Sequence, residues 1–209
     1  MARTDATDHP AERADGTRER IVQAARDLVV EHGYDGVSTG QVLERAGVSR
    51  GGLYHHFSGK DDLMAAVLEA VETDFTLRLA AAVVDAPDPF TALSEGVQWY
   101  LDECLRSKEL QRVGLYEGRK ALGWAAWRET IAPYGLAILT ASLDAAIQSD
   151  ELKPADPSAL AHVILAMLHE GVTLILADPD PPAARERVGT TIATIIDGLH
   201  KPYGLVGPG

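Results

Sequence analysis

The stretch that decides the reading is Ser38-Thr-Gly-Gln-Val-Leu-Glu-Arg-Ala-Gly-Val-Ser-Arg-Gly-Gly-Leu-Tyr-His-His-Phe-Ser-Gly-Lys60. Its residues spell two short helices and a tight turn. Ser38 is placed to cap the first helix, and Gln41, three residues on, completes a capping box. Val42, Leu43 and Ala46 give that helix an apolar side. Gly47 stands where a helix stops on a left-handed residue, and Ser49 is placed to cap the next one. The second helix presents Arg50, Gly51, Gly52, Tyr54, His55 and His56 on its open side, while Leu53 and Phe57 fasten it inward.

This order is a helix-turn-helix, whose second helix enters the DNA major groove. The paired glycines sharpen the reading. Each costs about 1 kcal/mol relative to alanine inside a helix, so their use is close approach of the backbone to something large and flat. Lys60 points the same way. With Ser58 expected to cap the following helix, Lys60 falls in its first turn, against the helix dipole, which suits a bound phosphate. The residues expected on DNA are Ser38, Thr39, Ser49, Arg50, Gly51, Gly52, Tyr54, His55 and Lys60. Arg50 is the expected base reader, since a guanidinium bonds guanine in bidentate fashion. Tyr54, His55, Thr39 and Lys60 should mainly hold phosphates.

Gly33-Tyr34, Ser38-Thr39, Ala46-Gly47-Val48-Ser49, Leu53-Tyr54-His55-His56-Phe57 and Lys60-Asp61-Asp62-Leu63 together resemble the DNA-binding domain of TetR-type (tetracycline-repressor-like) regulators. The resemblance covers about residues 17–68 and rests on several short motifs at the right mutual spacing. One departure stands out: Val42-Leu43 occupies the place of an aliphatic residue followed by Ala, so Leu43 should need a slightly wider gap between helices. The resemblance implies an all-α, nine-helix fold, an N-terminal three-helix helix-turn-helix domain and a C-terminal helical domain for ligand binding and dimerisation.

Net charge is −12 over 209 residues, which runs against DNA binding until it is divided. Residues 1–60 hold eight Lys and Arg against nine Asp and Glu; residues 61–209 hold eleven against twenty-two. The repulsive charge thus lies mostly in the C-terminal part, and phosphate contacts should be few and local. The single Cys104 excludes an internal disulfide and a cysteine-only metal site, and suits a reducing cytoplasm. No basic-then-apolar signal segment opens the chain. The most apolar run, Ala159 to Ala177, approaches membrane-spanning length but holds His162, His169 and Glu170, which are costly in lipid. It reads as a buried helix, with no membrane partner.

In chain order, residues 1–16 read as a disordered arm in which Arg3 or Arg13 would reach a minor groove or stay solvated. A helix from Thr17 to about Glu31 ends at Gly33. The helix-turn-helix domain is expected over 17–62, and the effector-binding and dimerisation domain over 63–200. A long helix from Asp61 to about Val84 joins the two and is broken by Ala86-Pro87-Asp88-Pro89. Helices are predicted near 90–106, 109–120, 123–149, 156–177 and 182–200, before a loose tail over 201–209.

All three tryptophans fall in the C-terminal part. Trp99, Tyr100, Tyr116, Trp124, Trp127, Tyr134, Met167, His169 and Glu170 are the candidate ligand-binding residues, with Gln98, Glu117 and Arg119 as further polar groups. The alternative is that these aromatics simply fill the core. The family resemblance adds that such proteins usually bind a small inducer between these helices. No third ligand joins His162 and His169 to make a metal site, and no nucleophile–base pattern can be argued, so neither catalytic residues nor a cofactor are expected.

The helix near 156–177 is apolar on nearly every face and should be buried on both sides. Leu160, Ile164, Leu168, Val172 and Ile175, with Val188, Ile192, Ile195 and Ile196 of the last helix, are the expected two-fold interface, a four-helix bundle made by two copies. The alternative is the internal core of a monomer. The sequence as a whole reads as a cytoplasmic, homodimeric, ligand-responsive transcriptional regulator, a repressor that binds a palindromic DNA operator and is released by a mainly hydrophobic small molecule.

Overall fold

The computed structural model describes residues 10–201, of which 10–15 are described by backbone alone. Among the described residues the chain forms eight α-helices and one π-helical segment, and no β-strand. These are α1 (Pro10–His32), α2 (Thr39–Ala46), α3 (Arg50–His56), α4 (Lys60–Ala82), α5 (Pro89–Arg106), the π segment (Leu110–Glu117), α6 (Gly118–Gln148), α7 (Pro157–Ala177) and α8 (Pro181–Asp197). A lone antiparallel bridge pairs Leu152 with His200.

Local chemistry accounts for most of the boundaries. Asp88, Asp156 and Asp180 each accept a backbone N–H in the first turn of α5, α7 and α8, and a proline follows each of them directly at the start of the helix. One boundary needs correcting. Helix α1 starts at Pro10 rather than Thr17, so residues 10–16 are not an arm; a proline at the first helical position, followed by Ala-Glu-Arg-Ala, favours this. Residues 1–9, Arg3 among them, and the tail from 202 lie outside the described residues. The break expected at Leu122-Gly123 is present: Gly123 leaves the helical region, with φ 75° and ψ 165°, and helix stands on both sides of it.

The chain divides into two compact units. Of the described residues, one holds those up to 71 with 109–130, the other 72–108 with those from 131 on. The first unit therefore takes in the π segment and the start of α6, beyond the expected 17–62. Its core gathers Ile21, Leu28 and Val29 of α1, Val42 of α2, Leu53 of α3, Val67 and Leu68 of α4, Val113 and Trp127, all buried. Helix α1 packs on α2, α3 and the π segment.

In the second unit α5, α7 and α8 pack against one another. Leu101 of α5, Leu143 of α6, Ile164, Leu168, Val172 and Ile175 of α7, and Ile192 and Ile196 of α8 are buried there. This corrects the expected dimer face. Six of its nine residues, Ile164, Leu168, Val172, Ile175, Ile192 and Ile196, are interior within one chain. Leu160 and Val188 are half-buried, and Ile195 alone is well exposed. The physical reason is that α5 covers the stripe as well as α7 and α8 covering each other. Glycine makes the fit close: a Cβ on Gly171 would lie 3.1 Å from both Ile192 Cδ1 and Val188 Cγ1. The apolar residues that remain outside on α7 and α8 are Val163, Leu174, Leu176 and Ile195.

Candidate nucleic-acid interface

Helices α2 and α3 are built by the bonds that the sequence suggests. Ser38 Oγ accepts the Gln41 N–H at 3.3 Å, and Gln41 Oε1 accepts the Ser38 N–H at 2.7 Å, closing the capping box. Gly47 ends α2 in the left-handed region, φ 64° and ψ 39°. Ser49 Oγ then accepts the Gly52 N–H at 3.2 Å and starts α3. Leu53 and Phe57, 0% and 2% exposed, hold α3 down. Its outer side carries Arg50, Gly51, Tyr54 and His55, all exposed, with Gly52 and His56 half-buried. The Arg50 guanidinium lies over the Tyr54 ring, 5.7 Å from its centroid, so the two long side chains share one stretch of the helix face. Ser38 and Ser49 are exposed beside them and Thr39 is half-buried.

The glycines of α3 have no packing explanation inside the chain. A Cβ on Gly51 would meet only Ser49 Oγ at 4.0 Å, and one on Gly52 would meet Ser49 Oγ at 3.5 Å and Val48 Cβ at 4.0 Å. Either site has room for alanine, which would favour the helix by about 1 kcal/mol. The missing side chains leave a smooth strip of backbone between Arg50 and Tyr54, open to a flat partner.

Lys60 stands in the first turn of α4 as expected, but Ser58 is arranged differently. Ser58 does not accept at the start of α4; its N–H and its hydroxyl both donate to Asp62, at 2.8 and 3.1 Å. Lys60 is the first residue of α4, and its ammonium sits 4.0 Å from the centre of the Tyr34 ring. Tyr34 in turn donates its hydroxyl to the Asp61 carboxylate. Burial and this bond raise the Tyr34 pKa well above its ordinary value, so it stays protonated and donating.

Tyr34 connects further. Its backbone N–H donates to Glu117 at 3.0 Å, and Glu117, 6% exposed, is the buried charged residue of this unit. Gly33 precedes it with φ 74°, and a Cβ there would lie 2.7 Å from Glu117 Oε1. Arg26 bonds Glu109 at 2.5 and 2.7 Å, and Lys120 bonds Asp35 at 2.5 Å. The end of α1 is thus tied on one side to the π segment and on the other to the start of α4. Sequence reading placed Glu117 in a ligand pocket and met Tyr34 only as part of a motif. No spacing rule links residues 34 and 117, so only the glycine–tyrosine pair that ends α1 hinted at this junction.

Two family profiles match the chain. "Bacterial regulatory proteins, tetR family" covers residues 21–67, which holds the whole helix-turn-helix, and "Tetracyclin repressor-like, C-terminal domain" covers residues 90–199. The chain belongs to the TetR family. It is a DNA-binding transcriptional regulator and not an enzyme. A TetR-family transcriptional regulator from Pectobacterium atrosepticum has a similar structure, with TM-score 0.80 and 30% identity over 93% of this chain and 100% of that one. The transposon Tn10 TetC protein from Escherichia coli is 26% identical over 160 residues, 75% of this chain and 78% of its own. RolR, solved in complex with the ligand resorcinol, shares the fold at TM-score 0.70 and 16% identity, covering 88% of this chain and 89% of that one.

The residues expected to bind a ligand in this TetR-family chain are not brought together in one unit. Tyr116, Trp124 and Trp127 lie in the unit that holds α1–α3; Trp99, Tyr100, Tyr134, Met167, His169 and Glu170 lie in the other. Trp127 is 3% exposed and donates its indole N–H to the Gly114 carbonyl at 2.6 Å, which makes it a packing residue. Trp124 stacks beside it at 5.3 Å but is 55% exposed, with Arg119 5.4 Å from its ring, and Tyr116 is 65% exposed. Gln98 donates to the Gly189 carbonyl at 3.2 Å and serves the α5–α8 contact. Glu170 is exposed, while Tyr134, Met167 and His169 are half-buried. Trp99 and Tyr100 stand against Phe75, with ring centres 5.4 and 5.6 Å away.

Proposed function

We propose that this regulator is a repressor that binds a palindromic operator as a homodimer and is released by a small, mainly hydrophobic ligand. The observation that carries the DNA-binding side is the open strip at Gly51 and Gly52, flanked by Arg50 and Tyr54. Arg50 would read a guanine, and Tyr54, His55, Thr39 and Lys60 would hold phosphates. Lys60 would do so from its place on Tyr34, at the first turn of α4.

A helix of seven residues reads too few bases to specify a site alone, which supports two copies with half-sites about one helical turn, ~34–36 Å, or a multiple apart. Val163 and Leu174 of α7 and Ile195 of α8, 50–66% exposed, support a face for the second copy, since large apolar side chains of one region rarely stay in water. The resorcinol complex of RolR supports a small-molecule effector for this chain. Helices α4 and α6 each contribute residues to both compact units. A ligand that prefers one arrangement of the DNA-binding helices shifts the balance by its differential affinity alone; a 100-fold release needs ~2.7 kcal/mol. Operator DNA and ligand would both meet the protein in the cytoplasm.

The test is sedimentation of the purified protein with fluorescence anisotropy against duplexes taken from the DNA flanking its gene. One dimer or a pair of dimers on a palindrome, with affinity that falls steeply with salt, is expected. Binding as a monomer, or equal affinity for every duplex, would overturn the reading.

A further inference from the structure

The cations of the first unit divide by what holds them. Arg26, Arg45 and Lys120 are each bonded to a carboxylate, that of Glu109, Glu31 and Asp35 in turn, so their charge is neutralised inside the chain. Arg50 and Lys60 lie instead against the rings of Tyr54 and Tyr34. A ring fixes where a cation sits but carries no net charge of its own, so the cation still wants a counter-ion. Both are residues proposed above, on other grounds, to meet DNA.

Arg18 of α1 shares this second arrangement and stands outside the helix-turn-helix. It is exposed, and its guanidinium lies over the Phe57 ring, 5.4 Å from the centroid. Among the described residues no carboxylate pairs with it. Phe57 itself is buried and ends α3, its N–H donating to the Leu53 carbonyl at 2.9 Å. A leucine at position 18 would cover that ring as well; what the guanidinium adds is charge, in a chain whose net charge is −12. Arg119 is also held by rings, but by those of Trp124 and Trp127, which belong to α6.

Position selects the counter-ion. Arg50 opens α3 and Phe57 closes it. Seven residues at 1.5 Å each set the two about 10 Å apart along the helix axis. The start of a recognition helix reaches base edges, and its far end can reach the DNA backbone. Arg50 therefore stands at the base-reading end of α3, and α1 carries Arg18 to the backbone end.

We infer that Arg18 is a DNA-phosphate contact supplied from outside the helix-turn-helix, a cation held on Phe57 so that it meets the strand at the far end of the recognition helix. The inference rests on the docking of α3 proposed above and adds a contact to it. A phosphate contact carries no base information, so Arg18 raises affinity for every duplex alike.

The test measures anisotropy of a random-sequence duplex and of an operator duplex with the full-length protein over a range of salt. Arg18→Gln is compared with Arg20→Gln, which removes the same charge from an exposed residue two positions along α1. Arg18→Gln should reduce the slope of log K against log salt by about 0.9 for each chain bound. Both duplexes should bind about eightfold more weakly per chain at about 0.1 M salt, a loss that closes toward ~1 M. Arg18→Lys, which keeps the charge, should restore the slope, and Arg20→Gln should leave it at the native value. A native slope in Arg18→Gln, an equal fall in Arg20→Gln, or a loss confined to one base position would overturn the inference. Thermal unfolding checks that each variant folds; should Arg18→Gln not fold, Arg18→Leu, which still covers Phe57, carries the same expectation. Arg50→Gln run alongside separates the two readings. Unaltered base preference there would sink the docking of α3, while the Arg18 slope on the random duplex stands or falls by itself.

Discussion

The glycines of α3 and those of α7 and α8 look alike in sequence and behave in opposite ways. Gly171 and Gly189 are required by neighbours within the chain. A Cβ on Gly171 would press on Ile192 and Val188 at 3.1 Å, and one on Gly189 would crowd the Arg185 guanidinium and lie 2.9 Å from Gln98 Oε1. Gly51 and Gly52 are required by nothing inside; a Cβ on either would meet nothing closer than 3.5 Å. The first pair lets helices approach, so its cost in helix propensity is offset by packing. The second pair leaves that cost uncompensated in the isolated protein, which means the compensation lies in a partner. The same division separates residues that the fold uses up from residues that it leaves for DNA, a ligand or a second copy.

The widest contrast is expected within α8. Ile192 is 3% exposed and Ile195 is 50% exposed, three residues apart. Ile192→Glu buries a charge with no partner and should cost several kcal/mol, seen as loss of the folded signal in circular dichroism. Ile195→Glu should leave the monomer folded and shift sedimentation from dimer to monomer. A folded, dimeric Ile195→Glu protein would move the interface off this face.

The glycine comparison comes next. Gly171→Leu should destabilise the chain by about 3 kcal/mol through overpacking, measured by denaturant unfolding. Gly52→Leu should leave unfolding nearly unchanged and lower operator affinity by about 100-fold, ~2.7 kcal/mol. Gly52→Ala goes further: it should raise stability by up to about 1 kcal/mol and still weaken DNA. Operator binding undiminished in either Gly52 variant would remove close backbone approach as the reason for the glycine.

A smaller effect is expected at Glu117. Glu117→Gln keeps an acceptor for the Tyr34 N–H but loses its charge, and should cost about 1–2 kcal/mol. Since Tyr34 also holds Lys60 and Asp61, operator affinity should fall with it. Stability lost with operator affinity intact would show the junction to be structural only. The smallest is Trp127→Phe, which keeps a ring and drops the bond to Gly114; about 1 kcal/mol of stability should go, and the effector response should stay. An altered effector response at native stability would return Trp127 to the ligand site.

Much of the DNA-binding half was legible because its signals are local. A capping box acts over three residues, a left-handed glycine acts at its own position, and Pro after Asp marks a helix start without reference to the rest of the chain. Those signals anticipated Ser38, Gly47, Ser49 and the turns before α5, α7 and α8. The same local logic failed at Ser58, where Asp62 competes for the cap position by accepting both donors. It also missed the helical start at Pro10, because a charged, low-hydrophobicity stretch carries no periodic stripe to betray a helix.

Sequence by itself determined most of the helix boundaries from residue 32 on, that a helix-turn-helix stands at residues 38–57, and which residues line its open side, since each follows from bonds and periodicities within a turn or two. Tertiary structure alone decided which way the rest faces. A helix apolar all round, such as α7, carries no direction of its own, so only the presence of α5 and α8 tells Ile164 and Ile192 to go inside and Val163 and Ile195 to stay out. Tryptophan is equally mute, because burial and ligand contact call for the same ring; it took the Gly114 carbonyl to claim Trp127 and the Phe75 ring to hold Trp99. Pairings such as Glu117 with Tyr34 join residues 83 apart, and a contact of that separation is chosen by the packing of whole helices and by no signal within either one.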